Sequence, residues 1–224
     1  MPEAQPANRP ATIGDGIRAG LPFGAAALLL GLSFGVVARP VMGGEAAIAM
    51  SAFVFAGAAQ FGATAVLAAG GGAAAAIVAG VLLNARFVPM GVAYASALHG
   101  GALRRGAEGQ ALVDASWALA NRGGGRFDRN LLLGATIAQY PTWVLGTVLG
   151  VVFGDAIGDP RDLGLDAIFP AFFLALLVGE IRSRRAVGVA LGGAAIALAL
   201  VPVAPAGVPI IAACAAAVVG ARRS

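Results

Sequence analysis

Seven apolar stretches, separated by short clusters of arginine, glycine or proline, make up most of this chain. Charged residues account for only 12% of its 224 residues, whereas a soluble domain carries about 25%. The mean hydropathy of +0.86 agrees with this deficit. Because a helix needs roughly 20 apolar residues to cross a bilayer, the sequence predicts an all-α, polytopic membrane helix bundle. About seven spans fit into the chain, and some contain a proline that is expected to break them.

The expected organisation is a polar, disordered tail at 1–17 followed by a single transmembrane domain at 18–220. The predicted spans cover 18–38, 46–69, 73–98, 131–153, 165–181, 186–203 and 207–220. The first span is expected to end at Arg39 and Pro40, because proline disfavours helical geometry in the residue before it. Between the third and fourth spans, the stretch 110–120 is too short to cross the bilayer, so it is either re-entrant or interfacial.

Glycines recur every fourth residue on two of the predicted spans. This spacing exposes backbone along one helix face and favours close helix packing. The faces are Gly20-x3-Gly24 and Gly31-x3-Gly35 in the first span, and Gly146-x3-Gly150-x3-Gly154 in the fourth.

The basic residues are all arginine, and their distribution predicts an orientation. With seven spans, eleven arginines fall in the segments on one side of the membrane and three on the other. Since arginine-rich segments stay in the cytoplasm, we expect the N-terminus outside and the C-terminus in the cytoplasm. No basic stripe interleaved with aromatic residues is present to bind a nucleic acid.

The sequence offers little for catalysis or for a cofactor. Cys214 and His99 are each the only residue of their type, so no cysteine–histidine metal set can form. Motifs for nucleophilic hydrolysis, zinc proteolysis and phosphate binding are also missing. We therefore expect no enzyme activity, no cofactor and no metal.

Polar residues at membrane depth are costly and therefore indicate function. Arg86 lies near the middle of the third span, close to Asn84. Pro89 cannot donate to the carbonyl of Ala85, so a break there is expected to turn Asn84 and Arg86 toward one cavity. Arg86 either binds a substrate carboxylate or pairs with an acid on a neighbouring helix.

Four further residues are candidates on other segments. Gln60 in the second span either meets a ligand or, more simply, makes an interhelical hydrogen bond. Gln139 and Pro141 mark a second expected broken helix, since Pro141 releases a carbonyl of its own helix. Asp114 pairs with Arg86 or a substrate ammonium if 110–120 is re-entrant, and is hydrated if that stretch is interfacial.

Four motifs in this order resemble the AzlC family, the large subunits of bacterial branched-chain amino acid exporters (BrnF-like permeases). The most specific is SAFVFAGAAQF at 51–61, and the others are LNAR at 83–86, VDASWA at 113–118 and GLDAIFPAFF at 164–173. The resemblance extends from about residue 12 to about residue 220. It implies a permease of the bacterial inner membrane that exports Leu, Ile, Val and often Met, together with a small AzlD-like partner subunit of about four spans.

Carried over position by position, Gln60, Asn84, Arg86 and Asp114 fall on motif positions of that family. The chain departs from the family where Ala115 replaces an acidic residue and Phe87 replaces a histidine. The leading hypothesis is proton-motive-force-driven export, in which Arg86 holds the amino acid carboxylate. Asn84, Gln60 and the carbonyl of Ala85 would then meet its ammonium. The alternative is a non-transporting scaffold subunit whose partner carries the substrate site.

Overall fold

The computed structural model describes residues 11–157, 174, 177–178, 181, 183–204 and 212–213. This part of the chain is helical and forms no β-strands. Three of its helical segments are long and apolar enough to cross a membrane, namely 13–42, 73–97 and 129–156. The predicted fold class, an all-α membrane bundle, is therefore confirmed. The predicted spans 165–181 and 207–220 lie almost entirely outside the described residues.

Nine α-helices and one short 3-10 turn (Ala95–Ala97) are described. In chain order the helices are α1 (Ile13–Met42), α2 (Gly44–Phe53), α3 (Gly57–Ala68), α4 (Ala73–Asn84), α5 (Phe87–Tyr94), α6 (Ala102–Gly109), α7 (Asp114–Ala120), α8 (Arg129–Ile157) and α9 (Arg184–Leu200). The predicted second and third spans are thus each divided into two helices, α2 with α3 and α4 with α5.

Helix α1 is longer than predicted at both ends. Thr12 caps its start by accepting the N–H of Asp15 at 3.2 Å, and the Asp15 carboxylate accepts the N–H of Thr12 at 2.8 Å. This reciprocal capping box makes residues 13–17 helical rather than part of a tail. Pro40 lies inside the helix and does not end it. The helix stops at Gly43, whose φ of 85° suits a residue without a Cβ.

The glycine faces of α1 and α8 pack directly against each other, as their spacing predicted. A Cβ added to Gly20 would come within 2.7 Å of the Cα of Ala135, and one added to Gly16 within 2.6 Å of the Asn130 carbonyl. Methyl groups at Gly31 and Gly146 would likewise collide with backbone carbonyls of the other helix. The bare backbones therefore touch over most of the helix length, which makes this pair the rigid frame of the bundle.

An acidic side chain joins the segment between α5 and α8 to the start of α8. Glu108 at the end of α6 accepts from Arg129 at 2.7 Å and from Arg104 at 3.0 Å, and its side chain is only 8% exposed. The hydrogen bond from Arg129 is the main cause that lowers the pKa of Glu108 to about 2. Burial opposes this shift, and the Arg104 hydrogen bond reinforces it.

Glu108 should make the stability of the protein depend on pH in the acidic range. Because its folded pKa lies below the ordinary value of 4.5, the stabilisation is complete above that value and is lost as pH falls toward about 2. We expect Glu108→Gln to lower the unfolding free energy by about 1–2 kcal/mol at neutral pH. This difference should shrink on acidification, as measured by thermal unfolding in detergent.

Glu45→Gln is the matched control, since Glu45 is exposed at the start of α2. It should unfold like the wild type at every pH. A Glu108→Gln protein whose deficit stays constant down to pH values well below 4.5 would contradict the assigned ion pairs.

Candidate functional site

Residues Val54, Phe55 and Ala56 interrupt the second predicted span between α2 and α3. Phe55 has a φ of 42°, a left-handed conformation that a bulky side chain adopts only where surrounding contacts maintain it. Ala56 offers no side-chain cap to the helix that follows. Helix α3 therefore begins inside the bundle at Gly57. The N–H groups of its first turn have no carbonyl one turn earlier to bind.

Gln60 supports this interruption from inside α3. Its Oε1 accepts the N–H of Ala56 at 3.1 Å, and its Nε2 donates to the Ser51 hydroxyl at 2.9 Å. That hydroxyl lies 2.7 Å from the Thr147 hydroxyl on α8. Ser51, Gln60 and Thr147 are all fully buried. The structure thus shows the interhelical interpretation of Gln60, and both ends of its amide are occupied by protein groups.

Arg86 and Asp114 form a bidentate ion pair. The Arg86 Nε lies 3.0 Å from one carboxylate oxygen, and its Nη2 lies 2.9 Å from the other. The Nη1 donates to the Leu83 carbonyl at 2.6 Å, and the guanidinium carbon lies 4.8 Å from the centre of the Phe87 ring. The side chains are 14% and 21% exposed. The acid-paired alternative for Arg86 is the arrangement that the structure shows.

The predicted break at Pro89 is wrong in position. The interruption lies at Ala85 and Arg86, between α4 and α5, and Pro89 is the third residue of α5. Proline is tolerated there because the N–H groups of a first helical turn lack helical partners in any case. The Ala85 carbonyl accepts the N–H of Val88 at 3.1 Å, so the expectation that it is free for a substrate is also wrong.

The predicted break at Gln139 and Pro141 is wrong as well, because α8 continues through Pro141. Side chains around the proline bind the local backbone carbonyls. Gln139 Nε2 donates to the Ala135 carbonyl at 3.0 Å, and the Thr142 hydroxyl donates to the Gln139 carbonyl at 2.8 Å. Such side-chain hydrogen bonds are how membrane helices accommodate proline without breaking.

Helix α7 places Asp114 at the depth of Arg86. The Ser116 hydroxyl accepts the N–H of Val113 at 3.0 Å and fixes the start of the helix. The Trp117 Nε1 donates to the Met90 carbonyl of α5 at 3.2 Å, and α7 also packs against α8. These contacts hold α7 against α5 and α8, with Asp114 beside Arg86.

A cavity of about 60 Å³ lies between the α2–α3 interruption, α1, α7 and α8. This enclosed space is smaller than the roughly 300–1,000 Å³ of typical small-ligand sites, so an amino acid would also occupy its open mouth. Helix α1 contributes an apolar wall of Phe23, Ala27 and Leu30. Asp114 and residues 55–58, which include the start of α3, also line the cavity. The space therefore combines one carboxylate, the start of a helix and a hydrocarbon surface.

Helix α8 adds two polar side chains to the wall of this cavity, Gln139 and Trp143. Since Gln139 Nε2 is used by its own helix, Oε1 is the amide atom that can accept from a ligand. Trp143 is 5% exposed, and its Nε1 has no hydrogen-bond partner within the described part of the chain. Its ring meets Phe55 at 6.4 Å between centroids.

The structure brings only part of the predicted site together. Asp114 and Gln139 line the cavity, and Arg86 stands behind Asp114 without lining it. Asn84 borders two other spaces, and its buried Oδ1 has no partner among the described residues. Sequence reasoning missed Trp143 and the amides of Gly57 and Ala58. The available signals were the tryptophan two residues beyond Pro141 and the glycine at 57 in the most specific motif.

Three candidate spans, an interrupted helix and an internal cavity with polar groups define a polytopic helical membrane protein of the transport class. The sequence profile described as "AzlC protein" matches residues 22–157, which is more than half of the chain. The chain therefore belongs to the AzlC family, a membrane transport-related family. The motif at 164–173 lies beyond the matched region.

Several curated relatives are also membrane proteins. The chain is 28% identical over 198 residues to "Inner membrane protein YgaZ" of Escherichia coli K12, which covers 82% of this chain and 79% of the relative. It is 24% identical over 159 residues to an "Uncharacterized membrane protein" of Helicobacter pylori, covering 69% of each chain. No solved structure matches significantly.

Proposed function

We propose that this protein exports branched-chain amino acids, Leu, Ile and Val and also Met, from the bacterial cytoplasm. The observation that carries the proposal is the cavity at the α2–α3 interruption. It presents the carboxylate of Asp114 and the uncapped first turn of α3 next to an apolar wall. A zwitterion with an aliphatic side chain needs all three, since both charges must be compensated and the side chain must leave water. Burying a Leu, Ile, Val or Met side chain there contributes about 1.5–3 kcal/mol.

Family membership supports a small AzlD-like partner subunit of about four spans. The arginine distribution supports an N-terminus outside and a C-terminus in the cytoplasm, and the proton motive force is the proposed energy source. The scaffold alternative drew its support from the glycine faces. Those of α1 and α8 pack against each other within this chain, so they no longer argue for a role in holding a separate subunit.

Export is tested by loading cells with a Leu-containing dipeptide. Peptidases release leucine inside, and cells that express this chain with its partner subunit should hold a severalfold smaller intracellular pool and release leucine faster. A protonophore should abolish this difference in the intracellular leucine pool between expressing and non-expressing cells. Equal pools in expressing and non-expressing cells would contradict the proposal.

A matched pair of variants on α3 ties export to the cavity. Ala58 lines the cavity, and Ala65 is exposed on the same helix. We expect Ala58→Leu to occupy the space and reduce the efflux rate at least severalfold, whereas Ala65→Leu should transport like the wild type. If both variants export equally well at equal expression, the substrate passes elsewhere.

A further inference from the structure

We propose that the cavity holds an amino acid with its carboxylate on the first turn of α3 and the Trp143 Nε1, and its ammonium on Asp114. This inference rests on the proposed function and specifies which groups of the site bind the two charged ends of the substrate. It assigns the substrate carboxylate to backbone amides and an indole, and not to Arg86.

The carboxylate position follows from the uncapped start of α3. Ala56 provides no side-chain cap, and the first helical hydrogen bond of α3 runs from the Gln60 N–H to the Ala56 carbonyl at 3.0 Å. Gly57 and Ala58, which both line the cavity, therefore lie in the uncapped first turn. Helix starts of this kind carry a partial positive charge and bind anions.

Trp143 supplies a second and independent donor at the same place. Its side chain is 5% exposed, yet the Nε1 has no partner in the described part of the structure. Buried indole N–H groups ordinarily find an acceptor. The ring forms part of the cavity wall and packs on Phe55, two residues before α3 begins. A ligand carboxylate in the cavity would satisfy this orphaned donor.

The ammonium position follows from the acceptors that remain. Arg86 uses one hydrogen-bonding site on each oxygen of Asp114, whereas a carboxylate offers about four such sites. Asp114 lines the cavity and can therefore accept from an ammonium while it stays paired with Arg86. Gln139 Oε1 is a further acceptor on that wall. Arg86 acts here as a positioning residue that orients the carboxylate.

Binding of three ligands to the purified full-length protein with its partner subunit tests the carboxylate and ammonium contacts separately. The ligands are L-leucine, 3-methylbutylamine, which lacks the carboxylate, and 4-methylpentanoate, which lacks the ammonium. The wild type should bind leucine at least about tenfold more tightly than either analogue, since each loses a charge-assisted hydrogen-bond set. Calorimetry or thermal stabilisation gives the affinities.

Trp143→Phe keeps an aromatic ring and removes the N–H. It should weaken the affinity for leucine and for 4-methylpentanoate by about tenfold and leave the affinity for 3-methylbutylamine unchanged. Gly57→Pro removes a helix N–H at the first helical position, where proline is well accommodated, and should show the same selectivity. Gly57→Ala, which keeps the N–H, is its control. Asp114→Asn should weaken the binding of leucine and of 3-methylbutylamine but not of 4-methylpentanoate.

The outcomes distinguish this inference from the function on which it rests. If the wild type binds no leucine, the proposed function fails. If leucine binds but Trp143→Phe and Gly57→Pro weaken all three ligands equally, or none, the assignment of the carboxylate is overturned and the transport proposal stands. Should one of these two variants fail to fold, the other decides the question.

Discussion

Replacing either Arg86 or Asp114 with alanine should destabilise the protein by about 3 kcal/mol, because each change leaves the other charge unpaired in a poorly solvated place. The side chains are only 14% and 21% exposed, and two hydrogen bonds join them. The double variant Arg86→Ala, Asp114→Ala should be more stable than either single variant, since no unpaired charge remains. Thermal or denaturant-induced unfolding in detergent measures all three.

Arg39→Ala provides the matched control for this cycle. Arg39 pairs with Asp155 at 2.9 Å, but the two side chains are 38% and 85% exposed. An exposed pair is worth about 0–1 kcal/mol, so this variant should unfold close to the wild type. If Arg86→Ala costs no more than Arg39→Ala, the pair between α4–α5 and α7 does not hold the bundle together.

Arg86→Lys examines geometry apart from charge. Lysine keeps the positive charge but cannot make the two parallel hydrogen bonds of a guanidinium. We expect intermediate stability, and export reduced further than stability, because Asp114 would no longer be held in one orientation at the cavity wall. Efflux assays and unfolding measurements on the same preparation separate the two effects.

The close packing of the glycine faces, though not which helices pair, could be predicted from sequence because it depends on a local rule. A glycine every fourth residue exposes a strip of backbone on any helix, and such a strip in the bilayer favours a close neighbour. Gly20 and Gly146 fulfil this expectation in the structure. The all-α membrane fold class was also predictable, because the low content of charged residues holds for every possible compact arrangement of the chain.

The places where helices are interrupted could not be predicted in this way. Prolines attracted the predictions at Pro89 and Pro141, but α8 continues through Pro141 and the interruption near Pro89 lies at Ala85 and Arg86, one turn before the proline. Whether proline breaks a helix depends on which other groups bind the released carbonyls, and those are set by Gln139, Thr142 and tertiary contacts. The observed interruption at Phe55 contains no proline, and its left-handed backbone is held by Gln60 and the surrounding aromatic rings.

The candidate site was predicted only in part for a related reason. Arg86 and Asp114 stand out because charges in apolar segments are rare, and their pairing was one of two stated alternatives. The backbone amides of Gly57 and Ala58 have no sequence signature, since every non-proline residue carries an amide. Trp143 becomes informative only when the structure shows that it is buried and that its N–H lacks a partner.

Adding one methyl group to Gly146 should destabilise the bundle by about 1–3 kcal/mol or more, because overpacked interiors relax incompletely. The new Cβ would collide with the backbone carbonyl of Leu28 on α1, which cannot move aside as a flexible side chain can. Gly154→Ala on the same face is the control. Its Cβ would meet Val36 of α1 at an ordinary 3.6 Å, so its stability should stay near that of the wild type.

The Gly146→Ala change should also weaken ligand binding, because it acts on the helix that carries Trp143 less than one turn away. Gly31, which faces Gly146's helix, lies against the Trp143 carbonyl, so separating α1 from α8 widens the cavity between its apolar wall and its donors. We expect a lower unfolding temperature and a weaker affinity for leucine together, measured on one preparation. If Gly146→Ala unfolds at the same temperature as the wild type, or if Gly154→Ala lowers the unfolding temperature equally, close backbone contact is not what fixes the two walls of the cavity.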